Sequence, residues 1–355
     1  MAHAPPAQAT PAIMKTTSVI WLSVATAACV ALSVAITLIP RASTTIRSPL
    51  YLLPELGGQV NAITGLQLTD GARTPLVTLS KTDQGWRVEP MHFFADQKQV
   101  LDLLTSLSAL TVVAKKTADP ARFNELGVAD PMPNNQTSLY VELQGTHPPI
   151  RLIIGHPAGA QGSYVRPAGA RHASEVRPAL RLGRSPLDWV EHRLVDLPER
   201  TIKVIHIQRH DDWPWQLIRP TAGAPHVDVV PPLRSSEVSF AGAADALFKT
   251  YEELSLTDLR PASTQSNGFD QSAVTTFDGF TLTVARISRE PPCWVSLSAS
   301  IDRSISANDN EHAQALITER VQAFNVRHRE WEYQLAPERC SAIFQKRSDL
   351  LRALP

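Results

Sequence analysis

The run SVIWLSVATAACVALSVAITLI, residues 18–39, constrains this chain more than any other feature, because it holds 22 consecutive residues without a charge. At 1.5 Å per residue a helix of that length reaches about 33 Å, and roughly 20 apolar residues are needed to cross a bilayer's hydrocarbon. A helix that is apolar on every side offers no face to water, so the segment is expected to cross a membrane. Lys15 precedes it, Pro40 and Arg41 follow it, and Trp21 stands where an interfacial aromatic would. A cleaved signal peptide has a shorter apolar core of about 7–15 residues, so the expectation is an uncleaved single-pass anchor. Charge does not orient it: Lys15 and the amino terminus on one side balance Arg41 and Arg47 on the other.

Beyond the anchor, Lys+Arg and Asp+Glu number 34 each, which excludes the basic bias of a nucleic-acid binder. Apolar residues make up 43% and recur periodically, which excludes disorder, and 28 prolines against 16 glycines favour many short elements. The expected class is α+β. The expected order is a tail at 1–17, the anchor at 18–39, a linker at 40–58, a first unit at 59–198, a second at 199–306, and a helix–strand–helix segment at 307–355.

The first unit opens with a strand and then PLVTLSKTDQGWRVEP, a hairpin turning at Asp83–Gly85. In the next segment Val100, Leu103, Leu104, Leu107 and Leu110 recur at helical spacing, with Asp96 as cap. TVVA leaves this helix as extended chain, and TSLYVELQG with IRLIIG form a second hairpin before the strand GSYVRPAG. The second unit repeats that order: TIKVIHIQRHDDWPWQLIRP as a hairpin, a helix with Phe240, Ala244, Leu247, Phe248, Tyr251 and Leu254 on one face, a hairpin turning at Asp278–Gly279, and the strand CWVSLSAS. GWRVEP and WPWQLIRP end alike, so Trp86 and Trp215 are expected to be counterparts in two related units. The chain closes with the helix NEHAQALITERVQAFNVR, capped around Asn308–Asn310, then the strand REWEYQLAP and a final amphipathic helix from Pro337.

GWRVEP, ADQKQVLDLLTSLSAL, FNELGVADP at 123–131, IRLIIG, SYVRP and WVEHRLVDLPERTIKVIHI at 189–207 together resemble bacterial domain-of-unknown-function family 4340. The likeness covers about residues 58–260. It implies one amino-terminal membrane helix before an extracytoplasmic region of strands and helices, in proteins that often accompany ABC-type transport components, including those of gliding. It supplies no catalytic residues.

The residues themselves point to no reaction. Cys293 and Cys340 could pair only if folding brings their Cα atoms within about 7 Å, and two separate thiols are expected. His206 and His210 lie too far apart on a strand to share a metal, and HDD is expected to be a solvated turn. The glycines of GHPAGAQGSY lead into a strand rather than a helix, so a hairpin connection is expected instead of a phosphate cradle. Arg166, Arg171, Arg177, Arg181 and Arg184 could form a patch for lipid headgroups or an acidic partner, and the interleaved prolines and glycines suggest a solvated loop instead. The expected function is non-enzymatic and cofactor-free: an accessory or scaffold subunit anchored in the bacterial inner membrane. Its folded part would stand in the periplasm with a protein partner such as an ABC-type permease, and without nucleic acid. The alternative is a glycan- or peptidoglycan-binding module using Trp213 and Trp294 as stacking platforms.

Overall fold

The computed structural model describes residues 49–133, 137–224, 226–232, 243–263, 269–305 and 311–350. The expected anchor, the start of the second unit's helix and the cap at Asn308–Asn310 lie outside them. Among the described residues no helix is long and apolar enough to cross a membrane. From Tyr51 onward the chain is one compact unit of mixed strands and helices, the α+β class expected.

The expected linker ends earlier than residue 58. Tyr51 bridges to Thr111, Leu52 N–H donates to the Leu110 carbonyl at 2.8 Å, and Leu53 and Leu56 are buried. The leucines carry enough apolar area to hold this Pro- and Gly-containing segment on the core.

The first sheet contains β1 (Gly65–Asp70), β2 (Pro75–Thr82), β3 (Gly85–Glu89), β4 (Phe93–Phe94), β5 (Thr111–Lys115), β6 (Leu139–Gln144), β7 (Ile150–Ala158), β8 (Gly162–Pro167) and β9 (Ser174–Arg177). Their spatial order is β4-β3-β2-β1-β6-β7-β8-β9-β5, and every pairing is antiparallel. Alternation sends Val77, Leu79, Trp86 and Val88 inward while Thr78 and Ser80 stay half-exposed. Helix α1 (Gln97–Ser108) carries the chain from the β4 edge to the β5 edge. Asp96 caps it by accepting from Gln99 N–H at 3.0 Å, and Val100, Leu103, Leu104 and Leu107 enter the core.

After the four-residue helix α2 (Phe123–Leu126), the strand β10 (Arg193–Val195) pairs with β14 (Leu254–Ser255) in a small separate ladder. The second sheet contains β11 (Ile202–Arg209), β12 (Asp212–Ile218), β13 (Asp228–Val230), β15 (Asp258–Pro261), β16 (Gln271–Thr276), β17 (Phe280–Arg286), β18 (Trp294–Ile301) and β19 (Trp331–Gln334). Helix α3 (Ala243–Thr250) precedes β14, and α4 (Glu311–His328) lies between β18 and β19. The order is β13-β12-β11-β16-β17-β18-β19-β15.

Setting β1, β2, β3, β5, β6, β7, β8 and β9 against β11, β12, β13, β15, β16, β17, β18 and β19 makes the two orders coincide strand for strand. β4 is an extra edge strand of the first sheet, and α4 is an insertion in the second. Trp86 therefore lies in the third strand of its set and Trp215 in the second, so they are not counterparts. Inward residues alternate on every strand of a meander, so an indole marks an inward face without saying which strand it belongs to.

The carboxy-terminal segment is not separate. β19 inserts between β15 and β18, and the remaining edge of β18 is met by α4, where the Asn325 side chain exchanges two hydrogen bonds with Ala299 (2.7 and 2.8 Å). The expected long final helix is a short α5 (Pro337–Ile343) followed by a turn at Arg347–Leu350. Helix α5 stops at Phe344, whose carbonyl is taken by the Arg209 guanidinium.

One apolar cluster runs from Leu53 to Leu350 through both sheets. Phe93 packs edge-on against Trp331 and Tyr333, with ring centres 5.1 and 6.2 Å away, and Arg87 and Arg327 stand over the Phe94 ring. A second, smaller cluster of Phe123, Val128, Ala129, Ile153 and Ala173 covers the other face of the first sheet.

Candidate functional site

The motif FNELGVADP builds that smaller cluster. Gly127 ends α2 at φ 68°, and a Cβ on Gly155 would meet the Leu126 carbonyl at 2.1 Å, so both positions admit only glycine. Arg166, 2% exposed, passes through this layer. Its Nε donates to the Val128 carbonyl at 2.9 Å, Nη1 to Ala170 at 3.1 Å, and Nη2 pairs with Asp130 at 2.7 Å above the Phe123 ring. Arg166 is thus removed from the expected surface run, because β8 turns its side chain under the motif. Arg219 is buried similarly, over Phe248 and paired with Glu199 at 3.0 Å.

The densest polar constellation lies at one end of the second sheet. Arg209 closes β11, His210 and Asp211 make the turn, and Asp212 opens β12. Asp270, 1% exposed, accepts from His210 N–H at 3.2 Å and meets the His210 ring at 2.8 Å, while Arg209 and Arg286 approach it at 3.8 and 3.6 Å. Asp211 is gripped by Arg209 at 2.8 and 3.1 Å and by Lys346 at 2.9 Å. His210 and Asp211 stay exposed, as expected of a solvated turn, and the turn is also tied down because folding brings a buried carboxylate beneath it.

Burial would raise the Asp270 carboxyl, but the His210 ring and backbone, with Arg209, hold it below its ordinary value. Hydrogen bonds from Arg209 and Lys346 hold Asp211 well below the carboxylate range. Ligand atoms of His210, Asp211 and Asp270 lie within 4.8 Å of one another, a metal-like spacing. Arg209, Arg286 and Lys346 already match those charges, so a divalent ion would face two guanidiniums and an ammonium; the donor set does not suit one.

Beside this network opens a cavity of about 390 Å³, lined by Arg209, Arg286, Lys346, Phe344 and the Cys293–Cys340 disulfide. The two cysteines are bonded, with Cα atoms 6.3 Å apart, so the expectation of separate thiols is corrected. The loop entering β18 and helix α5 converge on the same end of the sheet, an approach that a separation of 47 residues in sequence does not reveal. The cavity falls within the size range of small-molecule pockets.

The remaining expected contact residues do not line this cavity. Trp213 is 85% exposed at the start of β12, whereas Trp294 is half-buried with the Arg260 guanidinium 4.1 Å above its ring. Arg171, Arg177, Arg181 and Arg184 are exposed. A family model described as Domain of unknown function (DUF4340) matches residues 86–267, just over half of the chain. The chain belongs to this family. No curated protein and no solved structure matches it. The DUF4340 match takes in FNELGVADP, Arg166 and the HDD turn, while Asp270, Arg286, the disulfide and Lys346 lie beyond it. Sequence reading missed these last four as a group, and no local signal links positions so far apart along the chain.

Proposed function

We propose that this DUF4340 member is a non-enzymatic accessory or scaffold subunit, held by residues 18–39 in a bacterial inner membrane. Its folded region would stand on the extracytoplasmic side and serve an ABC-type permease or an envelope assembly. One observation carries the placement: Cys293 and Cys340 are disulfide-bonded, and such bonds persist in oxidising compartments and are rare in the cytosol. With the uncharged run, this favours an anchor that leaves residues 51–355 outside. The resemblance supplies the transport association, and the disulfide-lined cavity at the end of the second sheet is a candidate contact for a partner's side chain.

The test purifies tagged full-length protein from its native membrane in mild detergent and identifies what accompanies it. Permease and ATPase subunits in fixed ratio, lost when 51–355 is deleted and the anchor kept, are expected. A solitary chain, under conditions that preserve a known complex of that membrane, overturns the reading. Trp213 favours glycan binding as the second reading, since a fully presented indole suits a sugar face. Retention on peptidoglycan that Trp213→Ala abolishes would support it.

A further inference from the structure

The first sheet ends in β5, and the exposed groups along that edge are of two kinds. Tyr51 and Val113 are apolar and 45% and 48% exposed. Lys115, Arg171 and Arg177 are exposed cations, with Arg181 four residues past the end of β9. Register places them along one edge. Thr111, which bridges Tyr51, pairs with Arg177, while Lys115 pairs with Ser174, three residues after Arg171. Among the described residues no ion pair reaches Lys115, Arg171, Arg177 or Arg181. Glu175, the acid between them, is already paired with Lys116 at 2.8 Å.

Unpaired cations flanking exposed apolar groups are the composition of an interfacial membrane contact. Chain length gives this edge access to a bilayer. Residues 40–50 alone separate the uncharged run from Tyr51, and fully extended they reach at most about 40 Å.

We propose that this β5–β9 edge is a docking face for the anionic headgroup surface of the bilayer that holds residues 18–39. The inference rests on the anchored reading above. Docking would fix the orientation of residues 51–355 over the membrane, which a flexible tether alone would leave free.

The test places the full-length chain, with Cys29→Ser, in nanodiscs of phosphatidylcholine alone, or with one-third phosphatidylglycerol, carrying a fluorophore at Val113→Cys and a lipid-borne quencher. Quenching in the anionic discs, lost in about 0.5 M salt, is expected, because screening shortens to a few ångströms there. The variant Arg171→Glu/Arg177→Glu/Arg181→Glu should abolish it, and the milder Arg171→Gln/Arg177→Gln should weaken docking roughly fivefold per residue removed. Circular dichroism and an intact disulfide check that each variant is folded. Incorporation into both kinds of disc with no quenching in either overturns the docking face and leaves the anchor standing; an acidic protein would then be the partner for these arginines. Failure to enter any disc overturns both readings.

Discussion

At the residue scale, two arginines among the described residues are buried with several partners each. Arg166 and Arg219 each lie over an aromatic ring, donate to a backbone carbonyl and meet a carboxylate. Removing any one partner would leave a buried charge short of hydrogen bonds, which costs more than the bond itself is worth. His328 is the buried base. It is 1% exposed, with its ring nitrogen 2.7 Å from the Tyr333 hydroxyl and its face on Phe324. Burial, helped by Arg327, pushes its pKa down to about 3. The unfolded chain binds that proton near pH 6.5 and the folded chain does not, so stability falls as pH drops from about 6.5 toward 3. The slope from this group is at most about 1.4 kcal/mol per pH unit. Urea denaturation at several pH values should show the gap between the wild type and His328→Phe narrowing toward acid; a constant gap would rule out the neutral, buried imidazole.

At the scale of elements, α5 and the Arg347–Leu350 turn are held to the second sheet by a few long-range ties. They include the disulfide, the Arg209 guanidinium on the Phe344 carbonyl, and the Arg347 N–H donated to Asp212 at 3.1 Å. A covalent loop of 47 residues restricts the unfolded chain by about 4 kcal/mol in the chain-entropy account. Cys293→Ser/Cys340→Ser should therefore lower stability by roughly 3–4 kcal/mol, with hydrogen exchange rising first in α5. Unchanged protection in α5 would mean that the noncovalent ties suffice. Individual elements were the most legible part of the sequence. The 3.6-residue spacing of Val100, Leu104 and Leu107 and the Asp96 cap are local and foretell α1. The final helix was misjudged in length, and the group that satisfies the carbonyl at its end, Arg209, is 135 positions away.

At the scale of the molecule, one core joins two sheets of matching strand order. Ring contacts at Phe93, Trp331 and Tyr333 join the two sets and leave neither half a closed core of its own. Denaturation should therefore show a single transition, with coincident curves by tryptophan fluorescence and circular dichroism. Residues 51–198 and 199–355 expressed apart should be insoluble or only partly ordered. Two separated transitions, or two soluble halves with native spectra, would contradict a shared core.

The candidate site was legible only in fragments. HDD was recognisable as a turn, whereas Asp270, Arg286 and Lys346 lack any local pattern that sets them apart from other charged residues. The sequence by itself determined the uncharged run, the α+β class, the strands and α1, because hydropathy, alternation and capping act between neighbours along the chain. Only the tertiary structure decided which strand stands opposite which, that Arg166 is buried, that Cys293 meets Cys340, and that a carboxylate lies under the HDD turn. Those outcomes depend on antiparallel register and on contacts between segments dozens to more than a hundred residues apart, where loop closure rather than local preference sets the geometry.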